Sequence, residues 1–129
     1  MNFDIRIDPR PDNKTLAPLW RAVWDRQPPA NLPDILARSL VHVVAYEGAA
    51  AIGFVYVAWD GGEHGFLLSP CVRPDRRGQG LGQRLVRTAV EVAAERSAKW
   101  IHVDFELGLA RFYARCGFEP TAAGLISLR

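Results

Sequence analysis

Residues 71–82 read Cys71-Val72-Arg73-Pro74-Asp75-Arg76-Arg77-Gly78-Gln79-Gly80-Leu81-Gly82. The apolar run Phe66-Leu67-Leu68-Ser69-Pro70-Cys71-Val72 enters this stretch, and an amphipathic segment starting at Leu81 leaves it. The order is strand, short basic glycine-rich loop, helix. Gly78, Gly80 and Gly82 put no Cβ between the backbone and whatever approaches it. The first amides of a helix have no partners inside the helix, and the helix dipole makes that end partly positive. Together these features predict an anion site, most naturally for phosphate. Arg73, Arg76 and Arg77 are expected to add fixed positive charge beside it.

Known phosphate loops narrow the reading. A Walker loop requires Lys followed by Ser or Thr after its last glycine, whereas Gln83-Arg84 follows Gly82 here. A dinucleotide fingerprint G-x-G-x-x-G counted from Gly78 meets Gln83 at its last position, although Asp104 falls where that motif places its ribose-binding acid. The loop also sits in mid-chain behind hairpin-like strands, with little chain left for a second half.

The 129 residues suit one domain, spanning 1–129, with a single core. Apolar residues make up 49% and charged residues 23%, as in soluble globular proteins. The net charge is only +2, with the basic residues concentrated near 73–87. That pattern suits a local anion better than a nucleic-acid track. No apolar run is long enough to span a membrane, and the N-terminus has no signal-peptide pattern, so a cytoplasmic location is expected. Cys71 and Cys116 are far apart and support neither a disulfide framework nor a metal site.

Along the chain, Phe3, Ile5 and Ile7 alternate with polar residues and predict a strand. Leu16, Leu19, Trp20, Val23 and Trp24 recur at helical spacing, with Thr15 as the expected N-cap and Pro18 in the first turn. Asn31 is expected to cap a second helix through Leu40. Residues 41–47, 51–59 and 66–73 read as three strands of an antiparallel meander, with turns at Gly48-Ala49 and Asp60-Gly61-Gly62. Pro70 cannot donate to a ladder, so the third strand should be broken or bulged there. Leu81, Leu85, Ala89, Val92 and Ala93 define the next helix, with an Arg87–Glu91 pair expected on its outside. Residues 100–105 read as a strand parallel to 66–73, reached by a right-handed crossover. Leu109, Phe112, Tyr113 and Cys116 mark a short helix, Gly117 its C′ residue, Phe118 a closing hydrophobic contact, and 123–128 a final strand. The fold class is therefore α/β (α+β): a mixed, mostly antiparallel sheet with helices on both faces, one crossover and a short C-terminal end.

Val72, Pro74, Arg77, Gly78, Gly80, Leu81 and Gly82 match, in spacing, the V-x-P-x-x-R-G-x-G-L-G signature that contains the pyrophosphate-binding motif R/Q-x-x-G-x-G/A. The stretch resembles the GNAT family of N-acetyltransferases. Arg111-Phe112-Tyr113-Ala114-Arg115-Cys116-Gly117-Phe118 is similar to the family's RFYEKLGF segment. The element order is also close to the acyltransferase fold of that family. Two departures stand out. Glu106 or its neighbours occupy the place of an Asn that often contacts coenzyme A, and there is room for one final strand where the family usually has two. A second copy of the chain, as a homodimer, is one expected cover for the resulting sheet edge.

The resemblance implies acetyl-CoA as acyl donor and a primary amine of a small molecule or peptide as acceptor, with no metal. It implies that Arg77, Gly78, Gln79, Gly80, Leu81 and Gly82 hold the pyrophosphate, and that the backbone of Cys71, Val72 and Arg73 polarises the thioester carbonyl. A general acid should protonate the leaving thiolate. Tyr113 matches the family's acid, and a phenol, with its pKa near 10, keeps its proton at neutral pH; it also reads as one more aromatic of its helix stripe. The base is harder to read among Glu47, Glu63, His64, Asp104 and Glu106. Asp104 and Glu106 lead because they fall near the carboxyl end of the strand beside the cofactor strand. His42 and His102 read as sheet histidines. Trp20, Trp24 and Pro28-Pro29 shape an apolar entrance or belong to the core, with core the simpler reading for the tryptophans. A coenzyme A sensor without catalysis and a nucleotide-binding module are the competing functions.

Overall fold

The computed structural model describes residues 3–129. Five strands form one sheet in the order β1-β2-β3-β4-β5: Asp4–Ile7, Val41–Glu47, Ala50–Trp59, His64–Val72 and Trp100–His102. The first four pair antiparallel and β5 joins β4 in parallel, so the meander and the crossover are both present. Four helices accompany them: α1 Asn13–Trp24, α2 Leu32–Arg38, α3 Leu81–Glu95 and α4 Ala110–Arg115. Among the described residues no helix is long and apolar enough to cross a membrane.

The sheet separates two apolar clusters. On one face Val43, Ala45, Val55, Val57 and Leu67 meet Leu81, Leu85, Val86 and Ala89 of α3 and Tyr113 of α4. On the other, Val44, Phe54 and Cys71 meet Leu16, Leu19 and Trp20 of α1 and Leu32 and Leu36 of α2. Alternate residues of β2 thus serve opposite clusters, as a pleat requires. Gly53 lies under α3. A Cβ there would lie 2.6 Å from Leu85 Cδ1, so any larger residue would force the Leu85 side chain to shift.

Helix ends show where local chemistry differs from the expected cap. Asp12, not Thr15, is the N-cap of α1: its Oδ1 accepts from the Thr15 amide at 2.8 Å and the Thr15 hydroxyl at 2.7 Å. The helix therefore starts earlier, and Pro18 is its sixth residue, beyond the first turn. Asn31 precedes α2 without a side-chain cap bond, and α2 stops at Arg38 because the Leu40 amide already donates to Val57 of β3 at 2.8 Å. The end of α4 follows the expected αL termination. Gly117 has φ 101°, its amide donates to Ala114 O and the Phe118 amide to Tyr113 O, each at 3.0 Å, and the Phe118 ring meets the Tyr113 ring edge-on.

Three other expectations are corrected. Arg87 does not pair with Glu91; its Nη2 donates to the Arg115 carbonyl at 2.6 Å and so ties α3 to the end of α4. β5 ends at His102 rather than at Phe105, after only three paired positions. Residues 123–128 form no strand, and Leu125, Ile126 and Leu128 are more than 80% exposed. A strand needs a neighbour for its amides and carbonyls, and this segment lies against none.

Candidate active site

The short β5 creates the opening that the site uses. β4 pairs with β5 only at His64, Gly65 and Phe66, so its outer edge from Leu67 to Val72 lacks a strand partner. On the inner edge, Phe54 pairs with Cys71 and Tyr56 with Leu68. Val55 thus faces both Ser69 and Pro70, and Ser69 has φ 54°, so the bulge expected at Pro70 is present. Past the bulge the Arg73 amide donates inward to Ile52 O at 2.8 Å. Amides alternate sides along a strand, which turns the Cys71 amide inward too and the Val72 amide out to the open edge. Pro70 has no N–H to add. Of the three backbone positions expected to face a thioester, only Val72 offers its amide there.

The Cys71 side chain points into the core. It is 9% exposed, and burial pushes its thiol up to about 12, so it has no thiolate to act as a nucleophile. Burial likewise raises the Cys116 thiol.

After Val72 the chain makes one 3₁₀ turn, Pro74–Arg76, and reaches α3 through Gly78 at φ 83° and Gly80 at φ 79°. A Cβ at either glycine would meet nothing within 4 Å. The glycines are required by backbone conformation, and the space outside them is open. Gly80 caps α3 and its carbonyl accepts from the Arg84 amide at 3.1 Å, leaving the amides of Leu81, Gly82 and Gln83 as the unpaired first turn of a 15-residue helix. Gly82 is different: a Cβ there would be in ordinary contact, 3.4 Å from the Phe112 ring.

The arginines divide. Arg76 grips Glu47 side-on, Nε to Oε2 at 3.1 Å and Nη2 to Oε1 at 2.7 Å, and its Nη1 lies 3.2 Å from Asp75 Oδ2. Arg73 Nε donates to Asp75 Oδ1 at 2.6 Å, and its Nη2 lies 3.6 Å from Glu47 Oε1. Two guanidinium groups face two carboxylates, so Arg73 and Arg76 do not supply the free positive charge expected of them. They brace the loop instead. The hydrogen bonds from Arg76, above all, hold the Glu47 carboxyl below its usual range. Arg77 remains at the loop, its Nε tied to Val72 O at 3.0 Å and its side chain exposed. Glu47 is thus a brace rather than a base, a role no local signal could reveal because Arg76 is 29 positions away.

Tyr113 sits on the same face as α3. It is 4% exposed, its ring stacked on Phe105 at 4.7 Å and meeting Phe112 edge-on at 5.0 Å. Burial, with Cys116 beside it, raises its phenol, so the proton stays on. Gln83 and Arg87 of α3 both donate to the Arg115 carbonyl, fixing α4 and Tyr113 against α3. Asp104 and Glu106 lie on exposed, irregular chain on either side of Phe105. It is Phe105, not these carboxylates, that the structure brings to Tyr113. His42 is 2% exposed and lies away from the site. Its Nε2 accepts from the Arg10 amide at 2.9 Å, but its Nδ1, 3.3 Å from Asp8 Oδ1, is buried without a hydrogen-bond partner among the described residues, so it is only half satisfied as a sheet histidine. His64 and His102 hydrogen-bond each other at 2.8 Å at the far end of β4.

The opposite face carries a groove of about 360 Å³ lined by Trp20, Trp24, Arg26, Gln27, Pro29 and Ser69. Trp20 is core, 5% exposed and edge-on to Phe54 at 5.1 Å, and Trp24 packs against it at 4.9 Å. Both tryptophans still contribute to the groove wall. Among the described residues no group of three or more His, Cys, Asp or Glu side chains could hold a metal.

Comparison with known proteins follows the same lines. The profile of the acetyltransferase (GNAT) family matches residues 6–118. A rice (Oryza sativa subsp. japonica) protein named "Probable glucosamine 6-phosphate N-acetyltransferase 2" is 40% identical over 58 residues, 45% of this chain and 35% of that protein. A mycothiol acetyltransferase of Tsukamurella paurometabola is 35% identical over 83 residues, 57% of this chain and 28% of that protein. The match therefore spans about a third of these relatives' length. A GNAT family acetyltransferase of Streptococcus pneumoniae TIGR4 superposes with a TM-score of 0.83 at 25% identity, covering 99% of this chain and 98% of that one. With the bulged β4, the glycine-rich entry to α3 and a family profile running through nearly the whole chain, this protein belongs to the GNAT family of acetyltransferases.

Proposed function

We propose that the protein is an acetyl-CoA-dependent N-acetyltransferase that passes the acetyl group directly to a primary amine. The observation that carries this is the junction at residues 72–82, where an outward strand amide, two left-handed glycines and a free helix N-terminus follow one another. The pyrophosphate is held by the backbone of Gly78, Gln79, Gly80, Leu81 and Gly82, with Arg77 beside it. The acyl-bearing arm runs back along the open edge of β4. The Val72 amide donates to the thioester oxygen, where negative charge grows during attack; one such donor contributes up to about 3–4 kcal/mol.

The amine nitrogen attacks the carbonyl carbon, the C–S bond breaks, and the thiolate takes the Tyr113 proton. The attacking nitrogen must shed a proton, which water carries off toward the exposed carboxylates Asp104 and Glu106, and the phenol recovers its proton from water. The buried, protonated Cys71 favours this direct route over an acyl-cysteine intermediate at that thiol. The relatives named for glucosamine 6-phosphate and mycothiol support a small-molecule acceptor.

Thermal stability in the presence of ligands tests the proposal. A ligand that binds only the folded chain adds about 2.7 kcal/mol at a hundredfold excess over its dissociation constant. Acetyl-CoA should raise the melting temperature, while NAD and ATP should not. Thiol release with a panel of amines then reports turnover. Stabilisation by NAD or ATP alone would return the nucleotide-module reading, and acetyl-CoA binding without turnover of any amine the sensor reading.

A further inference from the structure

Given the acetyl transfer proposed above, on which this rests, we infer that the groove on the α1/α2 face takes a small amphoteric acceptor. That acceptor is one molecule carrying a primary amine at one end and a carboxylate or phosphate at the other, and not a polycation.

Position comes first. Ser69 is both a wall of the groove and the left-handed residue of the β4 bulge. Three residues of extended chain, at most about 10 Å, separate it from Val72. Tyr113 and the phosphate loop lie on the opposite face with α3, and the unpaired β4 edge is the gap between the two sides. An acceptor in the groove therefore approaches from the side that the donor leaves free.

Size comes next. About 360 Å³ is near the small end of small-molecule sites, too little for several residues of a peptide. Charge and surface then choose among small amines. Arg26 is the one charged residue of the lining, and no carboxylate shares the wall with it. A polyamine or an aminoglycoside would bring several ammonium groups to a wall whose only charge is positive. An acceptor with an anionic end instead gains a guanidinium that can bind it bidentately. The half-buried indole of Trp24, backed by the core ring of Trp20, gives the body of the acceptor an apolar surface and attracts its single ammonium. That ammonium then lies toward Ser69 and the thioester, with the anion at Arg26.

Matched pairs of amines test this by steady-state thiol release. 6-Aminohexanoate is set against hexylamine for a carboxylate, glucosamine 6-phosphate against glucosamine for a phosphate, and spermidine serves as the polycation. The anion-bearing member of at least one pair should show a kcat/KM at least tenfold above its anion-free partner and above spermidine. The pair that responds identifies the anion. Arg26→Gln should bring that ratio close to one, while acetyl-CoA still raises the melting temperature by the same amount. Preference for spermidine, or a ratio unaffected by Arg26→Gln, would overturn the inference and leave acetyl transfer standing. Intact acetyl-CoA binding without turnover of any amine would overturn both, and absence of acetyl-CoA binding would remove the donor site itself.

Discussion

The two faces of the sheet are built from different materials. On the α3/α4 face the proposed donor site is mostly backbone: the Val72 amide, the turns at Gly78 and Gly80, and the first amides of α3. On the α1/α2 face the proposed acceptor site is mostly side chain: two indoles, a proline ring, an amide, a hydroxyl and Arg26. A diphosphate is the same in every acyl-CoA, so main-chain nitrogens at fixed positions suffice. Acceptors differ in shape and charge, and only side chains can be exchanged to follow them. The contrast extends to bracing. The loop is tied by Glu47–Arg76 and Arg77–Val72, whereas Arg26 stands exposed at the groove.

The largest test of that contrast is Tyr113→Phe. Loss of the acid should lower kcat roughly 100-fold, within the range of general acid catalysis. Acetyl-CoA should bind as before, because the ring still packs on Phe105 and Phe112. An unchanged kcat would remove Tyr113 from the chemistry. Next comes Gly80→Val. A β-branched residue at φ 79° costs about 1–3 kcal/mol and puts a side chain into the space where the phosphates are placed. The KM for acetyl-CoA should rise more than tenfold, with no loss of selectivity between amines. A change in selectivity alone would mean that the loop belongs to the acceptor side.

Glu47→Gln sharpens the bracing. It should raise the KM for acetyl-CoA a few-fold through a looser loop, without the collapse seen for Gly80→Val. The same brace has a pH signature. The folded carboxyl of Glu47 lies below its unfolded value. Its contribution is complete above the unfolded pKa and is lost as the pH falls through the folded one, below roughly pH 4. Amide exchange in residues 73–80 should accelerate in that window in the native chain and not in the variant.

The smallest effect lies away from both sites. His42 accepts a hydrogen bond from the Arg10 amide, and protonating Nε2 would set two donors against each other. Burial lowers its pKa, opposed only partly by Asp8. The unfolded chain therefore takes up this proton first, and stability held above about pH 6.5 declines as the pH drops toward the folded value. The melting temperature should fall by a few degrees between pH 7 and pH 5, and His42→Gln should flatten that slope. An equal slope in the variant would assign the titration elsewhere.

Local signals were enough for much of this. The glycine spacing at 78–82, the proline at 70 and the αL stop at Gly117 each act within a few residues, through φ preference or a missing donor. Periodicity likewise exposed both helix stripes and the meander, because burial on one face imposes it directly. The sequence by itself therefore determined which faces are apolar and where a glycine-rich turn hands the broken strand over to α3. What only the tertiary structure decided depends on partners distant in sequence. Glu47 finds Arg76, Arg87 leaves Glu91 for the Arg115 carbonyl, and Phe105 rather than Asp104 or Glu106 reaches Tyr113. The short β5 and the strandless tail belong to the same class, since a strand exists only where another strand's edge receives its hydrogen bonds.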